Sequence, residues 1–255
     1  MTKSYGQSWY SLHGHKNTVM SWCPSDHELL FNQNMADPAQ RALLEEYGWT
    51  RENVSYTFNK DGFRSEEFTY EPNDSVLFLG CSHTVGIGMD LESSWTYKVA
   101  NSLGLHRYNL GVGACSADTC FRLAHHWIPL LRPKYVMMLT PSDARMELVE
   151  DRDIIQFLPS MPKLSYKNYV AEMVGGFYKS WLAHPANADM NRLKNVMGVR
   201  TICGSIGAPL VEIPIDDMYN PTMVHTKARD LMHPGREWNE YVAQTFLKKL
   251  SELPI

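Results

Sequence analysis

The sequence has no long apolar run and no excess of basic residues. No stretch approaches the ~20 apolar residues of a transmembrane helix, so no membrane span is expected. Lysine and arginine number 24 against 28 aspartate and glutamate, giving a net charge of −4. This balance argues against a nucleic-acid partner, which usually requires a basic patch. The polar stretch 1–7 also lacks the apolar core of a signal peptide, and a cytoplasmic location is therefore expected, with a viral or separately exported protein as the alternative.

Cysteines are few and scattered, at positions 23, 81, 115, 120 and 203. No two of them have C-x-x-C spacing, so neither a zinc site nor a disulfide framework is indicated. The adjacent residues His125 and His126 fall on different faces of a predicted helix, which disfavours metal binding there. The turn at 204–207 is a poor match to a phosphate-binding loop. We therefore expect no metal and no cofactor.

The length of 255 residues and a 44% hydrophobic content are sufficient for one α/β domain with additions. Residues 1–72 are polar and aromatic and have little strand character. They are interpreted as an N-terminal extension that packs on a main domain formed by 73–255. The aromatic side chains of this extension, among them Trp22 and Trp49, favour packing, with a stacking platform for a sugar ring as the alternative.

Short apolar strands alternate with helical patterns after residue 75. Strands are predicted at Val76–Leu79, Tyr108–Val112, Tyr135–Leu139, Thr201–Cys203 and Leu210–Ile213. Helices are predicted near Ser94–Leu103, Ala117–Leu131, Tyr166–Leu182, Asp189–Met197 and Glu237–Leu250, besides one in the extension near Pro38–Tyr47. This alternation predicts an α/β fold, a flavodoxin-like three-layer α/β/α arrangement with a parallel sheet of about five strands. Ligands bind such sheets beyond the carboxyl ends of the strands.

Ser82 follows the first of these strands on a turn that Gly80 permits. A serine hydroxyl becomes a nucleophile when a base takes its proton and a third group orients that base. Asp230 and His233 are three residues apart in the sequence and can supply both roles from one loop. The alternative is that Asp230 caps a helix and His233 is an ordinary surface residue. Cys81, beside the serine, is interpreted as a packing residue.

Four segments occur in an order that resembles the SGNH (GDSL-like) hydrolases. Gly80–Thr84 with Gly86 resembles the first motif of that superfamily, and Asn109–Ser116 resembles the second. Thr140–Asp143 lies in the place of the third, and Asp230–Pro234 matches the last. The upstream segment N-x-x-G-F-R at 59–64 also resembles one that precedes the catalytic domain in some relatives.

The resemblance implies a two-step acyl transfer by Ser82, with His233 as base and Asp230 orienting it. It implies that the backbone N–H groups of Ser82 and Ala114, with the side chain of Ser142, bind the oxyanion. Ala114 stands where the superfamily has glycine, and Ser142 stands where it has asparagine. Arg145, on the same turn as Ser142, is an alternative donor, unless it forms a surface ion pair with Asp143 or Glu147.

The sequence thus predicts a serine esterase that removes an acyl group, such as acetyl, from a small-molecule or glycan ester. An O-acyltransferase using the same triad is the first alternative. An inactive binding module with the same fold is the second, because two positions of the predicted oxyanion hole depart from the pattern. The oligomeric state does not follow from the sequence.

Overall fold

The computed structural model describes residues 9–150, 153–158, 176, 177, 180, 184–219 and 226–253. In chain order the strands are β1 (Val19–Met20), β2 (Tyr56–Thr57), β3 (Ser75–Gly80), β4 (His106–Asn109), β5 (Tyr135–Thr140), β6 (Met146–Glu150), β7 (Asp153–Phe157) and β8 (Leu210–Pro214). The helices are α1 (Glu28–Ala36), α2 (Pro38–Glu46), α3 (Ser82–Val85), α4 (Trp95–Leu103), α5 (Ala117–Leu131), α6 (Pro185–Ile206) and α7 (Arg236–Ser251). Short 3₁₀ helices cover His13–His15 and Ile215–Met218.

A parallel sheet with the strand order β4-β3-β5-β8 forms the centre of the molecule. Every residue of β3 is buried, which requires that both faces of the sheet be covered. Helices α4 and α7 pack together as one pair, and α5 and α6 as another. The predicted three-layer α/β/α fold is confirmed.

One predicted strand is wrong. Thr201–Cys203 lies inside α6, so the sheet has four strands in the described ranges rather than about five. The β-branched residues there suggested a strand, but Val196, Val199 and Cys203 are all buried, a helical spacing that gives α6 one apolar face. The predicted helix near Tyr166–Leu182 lies outside the described residues except for 176, 177 and 180, which are helical.

The remaining boundaries differ by a few residues. Strand β4 begins two residues earlier and ends three residues earlier than the predicted Tyr108–Val112. Helix α5 matches its prediction, and Ser94 caps α4 by accepting a hydrogen bond from the Tyr97 N–H. Helix α1 and the antiparallel hairpin β6–β7 were not predicted.

The first 72 residues contact the sheet region at several points. The buried Arg64 guanidinium donates to the carbonyl oxygens of Val85, Gly86 and Met89, directly after α3. The Trp127 indole N–H donates to the Tyr10 carbonyl at 2.8 Å. These contacts agree with an extension that packs on the main domain, while a boundary at residue 72 stays a prediction.

None of the helices in the described ranges has both the length and the apolar character that crossing a bilayer requires.

Candidate active site

The carboxyl ends of β3, β4 and β5 meet at one edge of the sheet, because the three strands are parallel and in register. Helix α3 starts there with Ser82 as its first residue, directly after β3. The loop 226–235 returns to the same edge just before α7. The structure therefore brings the two ends of the predicted site together.

Ser82, His233 and Asp230 form one hydrogen-bonded row. The Ser82 Oγ lies 2.8 Å from His233 Nε2, and His233 Nδ1 lies 2.5 Å from Asp230 Oδ2. The other carboxylate oxygen of Asp230 accepts the backbone N–H groups of Met232 at 3.0 Å and His233 at 2.9 Å. Both carboxylate oxygens are thereby engaged, and the imidazole is held with Nε2 facing the serine.

The Asp230 carboxylate is 2% exposed. Burial alone would raise its pKa, but the hydrogen bond and electrostatic attraction to His233, with the two backbone N–H groups, outweigh burial and hold the pKa below its usual value. The carboxylate therefore stays ionised, as a group that stabilises an imidazolium must.

Two sets of contacts hold the segments that carry Ser82, His233 and Asp230 in place. A Cβ on Gly88, whose φ is +70°, would lie 2.8 Å from Ala228 Cβ, so glycine lets the 228–230 loop approach the turn that follows α3. The buried Asn109 side chain donates to the Thr84 carbonyl at 2.7 Å and accepts the Gly111 N–H at 2.9 Å. The second motif therefore ties its own turn to the helix that carries Ser82.

Two backbone N–H groups near Ser82 are available to a ligand. Among the hydrogen bonds of the described residues, none uses the backbone N–H of Ser82 or of Ala114. Ala114 has φ +63°, a left-handed conformation that costs a residue with a Cβ roughly 1–2 kcal/mol. Glycine adopts this conformation without that cost, and the turn here accommodates the alanine methyl.

A cavity of about 610 Å³ opens beside Ser82 and His233. One wall is the second-motif turn 111–114, with Arg145. A further part of the lining comes from the first 72 residues, with Leu12, His15, Phe58 and the segment 23–25. Sequence reasoning missed this part of the lining, because contacts between distant segments leave no local pattern.

The two candidates for a third oxyanion donor differ in their position relative to the cavity. Arg145 lines the cavity, whereas Ser142 is not among the described lining residues. The ion pairs suggested for Arg145 do not form in the described part of the chain. Glu147 pairs with Arg122 at 2.6 Å, and Asp143 pairs with Arg192 at 2.7 Å.

A buried ion pair anchors the loop 226–235, which carries Asp230 and His233, to the N-terminal extension. Arg229, 0% exposed and adjacent to Asp230, donates to the carboxylate of Asp26 at 2.7 Å. It also donates to the carbonyl oxygens of Ser21 and Arg51. Arg229 is a further residue that the sequence did not reveal, since its partner lies 203 positions away.

Aromatic residues of the extension are used for packing. Trp49 is 4% exposed, and the Arg236 guanidinium lies 3.9 Å from its ring centroid. The Arg229 guanidinium lies 4.0 Å from the Trp22 ring centroid. These two rings therefore support the packing interpretation over the sugar platform.

Cys81 and His83 flank the serine without joining the row. All five cysteines are free and buried, and Cys81 Sγ lies 3.4 Å from His83 Nδ1. His83 Nε2 is 2.7 Å from the Tyr219 hydroxyl. Among the described residues, no three His, Cys, Asp or Glu side chains come together as metal ligands.

Acid is expected to destabilise the protein through His83. Burial, followed by unfavourable electrostatic interactions with His233 and Arg145, lowers the pKa of His83 to about 3. In the unfolded chain this imidazole is protonated near pH 6.5. The unfolded state therefore binds more protons than the folded state between pH 6.5 and 3, and the free energy of unfolding decreases as the pH falls through that range. Urea unfolding of the wild type should show an unfolding free energy that decreases over this range, with a shallower slope in His83→Gln. The exposed His125 provides the control: His125→Gln should keep the wild-type slope, and a common slope in all three proteins would contradict the assignment.

Gly111→Ala is expected to cost about 1–3 kcal/mol of stability, as overpacking in a buried turn does. Its Cβ would lie 2.7 Å from the Val85 backbone nitrogen and 3.0 Å from the Asn109 Oδ1. Gly113→Ala is the matched control, because nothing lies within 4 Å of that Cβ. Urea midpoints of both variants check the prediction, which fails if the two substitutions cost the same.

The four motifs thus occupy one edge of a parallel sheet, in the order expected from the sequence. The chain resembles the SGNH hydrolases. No family model matches the sequence, and no curated protein matches it significantly.

Several solved structures match the fold loosely. A psychrotrophic esterase from Pseudoalteromonas sp. is 12% identical, with 71% of this chain and 98% of that chain covered and a TM-score of 0.39. A member of the lipolytic protein G-D-S-L family from Veillonella parvula DSM 2008 is 12% identical, with 70% and 99% covered and a TM-score of 0.36. An acetyl xylan esterase from the rumen bacterium Butyrivibrio proteoclasticus is 14% identical, with 71% and 64% covered and a TM-score of 0.36.

Proposed function

We propose that this SGNH-like protein is a serine-dependent ester hydrolase. The observation that carries the proposal is the row Ser82–His233–Asp230, in which the serine hydroxyl lies 2.8 Å from an imidazole oriented by a buried carboxylate. This arrangement activates a serine as a nucleophile. The cavity of about 610 Å³ beside the serine is within the size range of small-molecule sites.

In the proposed mechanism, Ser82 Oγ attacks the ester carbonyl while His233 Nε2 takes the hydroxyl proton. The carbonyl oxygen becomes an oxyanion, which the backbone N–H groups of Ser82 and Ala114 stabilise. His233 then gives its proton to the leaving alcohol, and an acyl-enzyme remains on Ser82. Water, deprotonated by His233, attacks this ester, the bond between the acyl carbon and Ser82 Oγ breaks, and Oγ takes the proton back from His233 as the carboxylic acid leaves.

The Ser142 hydroxyl as a third oxyanion donor stays a prediction from the resemblance. Two backbone donors suffice for the mechanism, and removal of one such donor typically costs about 10²–10³ in rate. For the substrate we propose an ester with a short acyl group such as acetyl, on a glycan or another polar alcohol.

Covalent labelling by a fluorophosphonate probe tests this function. Ser82 Oγ attacks phosphorus, fluoride leaves, and the peptide that contains Ser82 gains the mass of the phosphonyl group. Labelling should disappear in Ser82→Ala and become much slower in His233→Ala. Cys81→Ala is the neighbouring control and should label like the wild type. Equal labelling of the wild type and Ser82→Ala, or none in the wild type, would refute the proposal.

Hydrolysis and acyl transfer to another alcohol share this acyl-enzyme. Measuring free acid against a transferred ester in the presence of an added sugar distinguishes the two. The hydrolase proposal predicts that free acid is the main product.

A further inference from the structure

Among the described residues that line the cavity, no side chain carries a negative charge. Arg145 lines it, and no Asp or Glu is among the described residues that do. Asp230, whose carboxylate is hydrogen-bonded to His233 Nδ1, is 2% exposed, and both of its oxygens already accept hydrogen bonds. A site with a fixed cation and no opposing carboxylate attracts anions.

The guanidinium of Arg145 has most of its hydrogen-bonding capacity unused. A guanidinium has five N–H donors, and in the described part of the chain only one hydrogen bond of Arg145 is found, from Nη1 to the Cys115 carbonyl at 3.3 Å. This bond anchors it beside Ala114, next to the proposed oxyanion donors.

The acids nearest to Arg145 in the sequence are engaged elsewhere. Glu147 accepts from Arg122 at 2.6 and 2.9 Å and also from Thr119 at 2.6 Å. Asp143 pairs with Arg192 at 2.7 Å. Neither carboxylate is therefore available to neutralise the cation at the cavity.

We propose that Arg145 binds a carboxylate of the substrate, so that the preferred substrates are esters that carry a second, ionised carboxyl group. This inference rests on the proposed ester hydrolysis and names its substrate class. A planar guanidinium pairs with a carboxylate through two parallel hydrogen bonds, which makes arginine suited to this task.

Two matched substrate pairs test the proposal and locate the carboxylate. Mono-(4-nitrophenyl) succinate carries it on the acyl side, and its methyl ester is the neutral twin. 4-Acetoxybenzoate carries it on the alcohol side, and methyl 4-acetoxybenzoate is the neutral twin. For wild type, Arg145→Gln and Arg145→Lys, kcat/KM is measured on all four.

In Arg145→Gln, kcat/KM on the charged member of at least one pair should fall about 10- to 100-fold further than on its neutral twin, the range expected for hydrogen bonds to a charged group. Arg145→Lys should recover part of that difference. Equal losses on charged and neutral members would mean that Arg145 acts on the oxyanion instead, and would overturn the proposal. Equal activity of the wild type and Arg145→Gln on every substrate would overturn it too.

A binding measurement separates this inference from the proposed function. 4-Acetamidobenzoate and its methyl ester are amide analogues of the second pair, and succinate and monomethyl succinate represent the acyl side. By titration calorimetry, the more highly charged ligand of at least one pair should bind the wild type more tightly than its partner, and that preference should vanish in Arg145→Gln. No preference in the wild type would overturn the inference even if ester hydrolysis is established. A preference without any Ser82-dependent turnover would refute only the hydrolase.

Discussion

Asp230→Asn is expected to reduce ester hydrolysis about 10⁴-fold, the size of effect that follows when the acid of such a triad becomes an amide. The asparagine oxygen can still accept the N–H groups of Met232 and His233, as Asp230 Oδ1 does at 3.0 and 2.9 Å. The amide nitrogen then faces His233 Nδ1, which becomes an acceptor. The ring proton consequently moves to Nε2, and the histidine can no longer take the proton of Ser82.

The measurement is kcat/KM on 4-nitrophenyl acetate, together with the urea midpoint as a check on folding. Asp90→Asn is the matched control, because the Asp90 carboxylate pairs with Arg236 at 3.1 Å away from the row. That variant should retain wild-type turnover. A fall of less than tenfold in a folded Asp230→Asn would contradict the orienting role of this acid.

Arg229→Met is expected to lower the free energy of unfolding by about 3–5 kcal/mol, the usual cost of breaking a buried ion pair from one side. The substitution leaves the Asp26 carboxylate, 1% exposed, without its cation. It also removes the donors to the carbonyl oxygens of Ser21 and Arg51. The Tyr56 hydroxyl, 2.5 Å from Asp26 Oδ2, remains as the main compensating partner.

Urea unfolding measures this loss, and Arg236→Met is the matched control. Arg236 also links the extension to the catalytic region, through the Tyr47 carbonyl at 2.8 Å, but its side chain is 40% exposed. Exposed pairs contribute about 0–1 kcal/mol, so the control should lose far less. Equal losses in the two variants would show that burial of the Asp26–Arg229 pair is unimportant.

The sheet could be predicted from the sequence because its strands are short apolar runs between helical patterns. The motifs around Ser82 and His233 were also accessible, since each is a local string next to a strand or helix end. Parallel strands place their carboxyl ends together, so the fold prediction placed Ser82 at the sheet edge but left open whether the Asp230–His233 loop reaches it. The hydrogen bonds of Ser82, His233 and Asp230 supply that contact.

Contacts between distant segments could not be predicted. The cavity wall from the extension, with His15 and the segment 23–25, depends on how the first 72 residues fold over the sheet edge. The partners of Arg229 and the position of Arg145 relative to Ser142 depend on loops without periodicity. Thr201–Cys203 was misassigned because tertiary packing against α5 overrides the weak strand preference of three residues.

The central claim is that Ser82 is the nucleophile of an esterase. Its most direct test is the turnover of 4-nitrophenyl acetate by purified wild type and Ser82→Ala, with circular dichroism showing that both are folded. The proposed mechanism predicts multiple turnovers by the wild type and a loss of about 10⁴-fold or more in Ser82→Ala. Equal activity in the two proteins would contradict it.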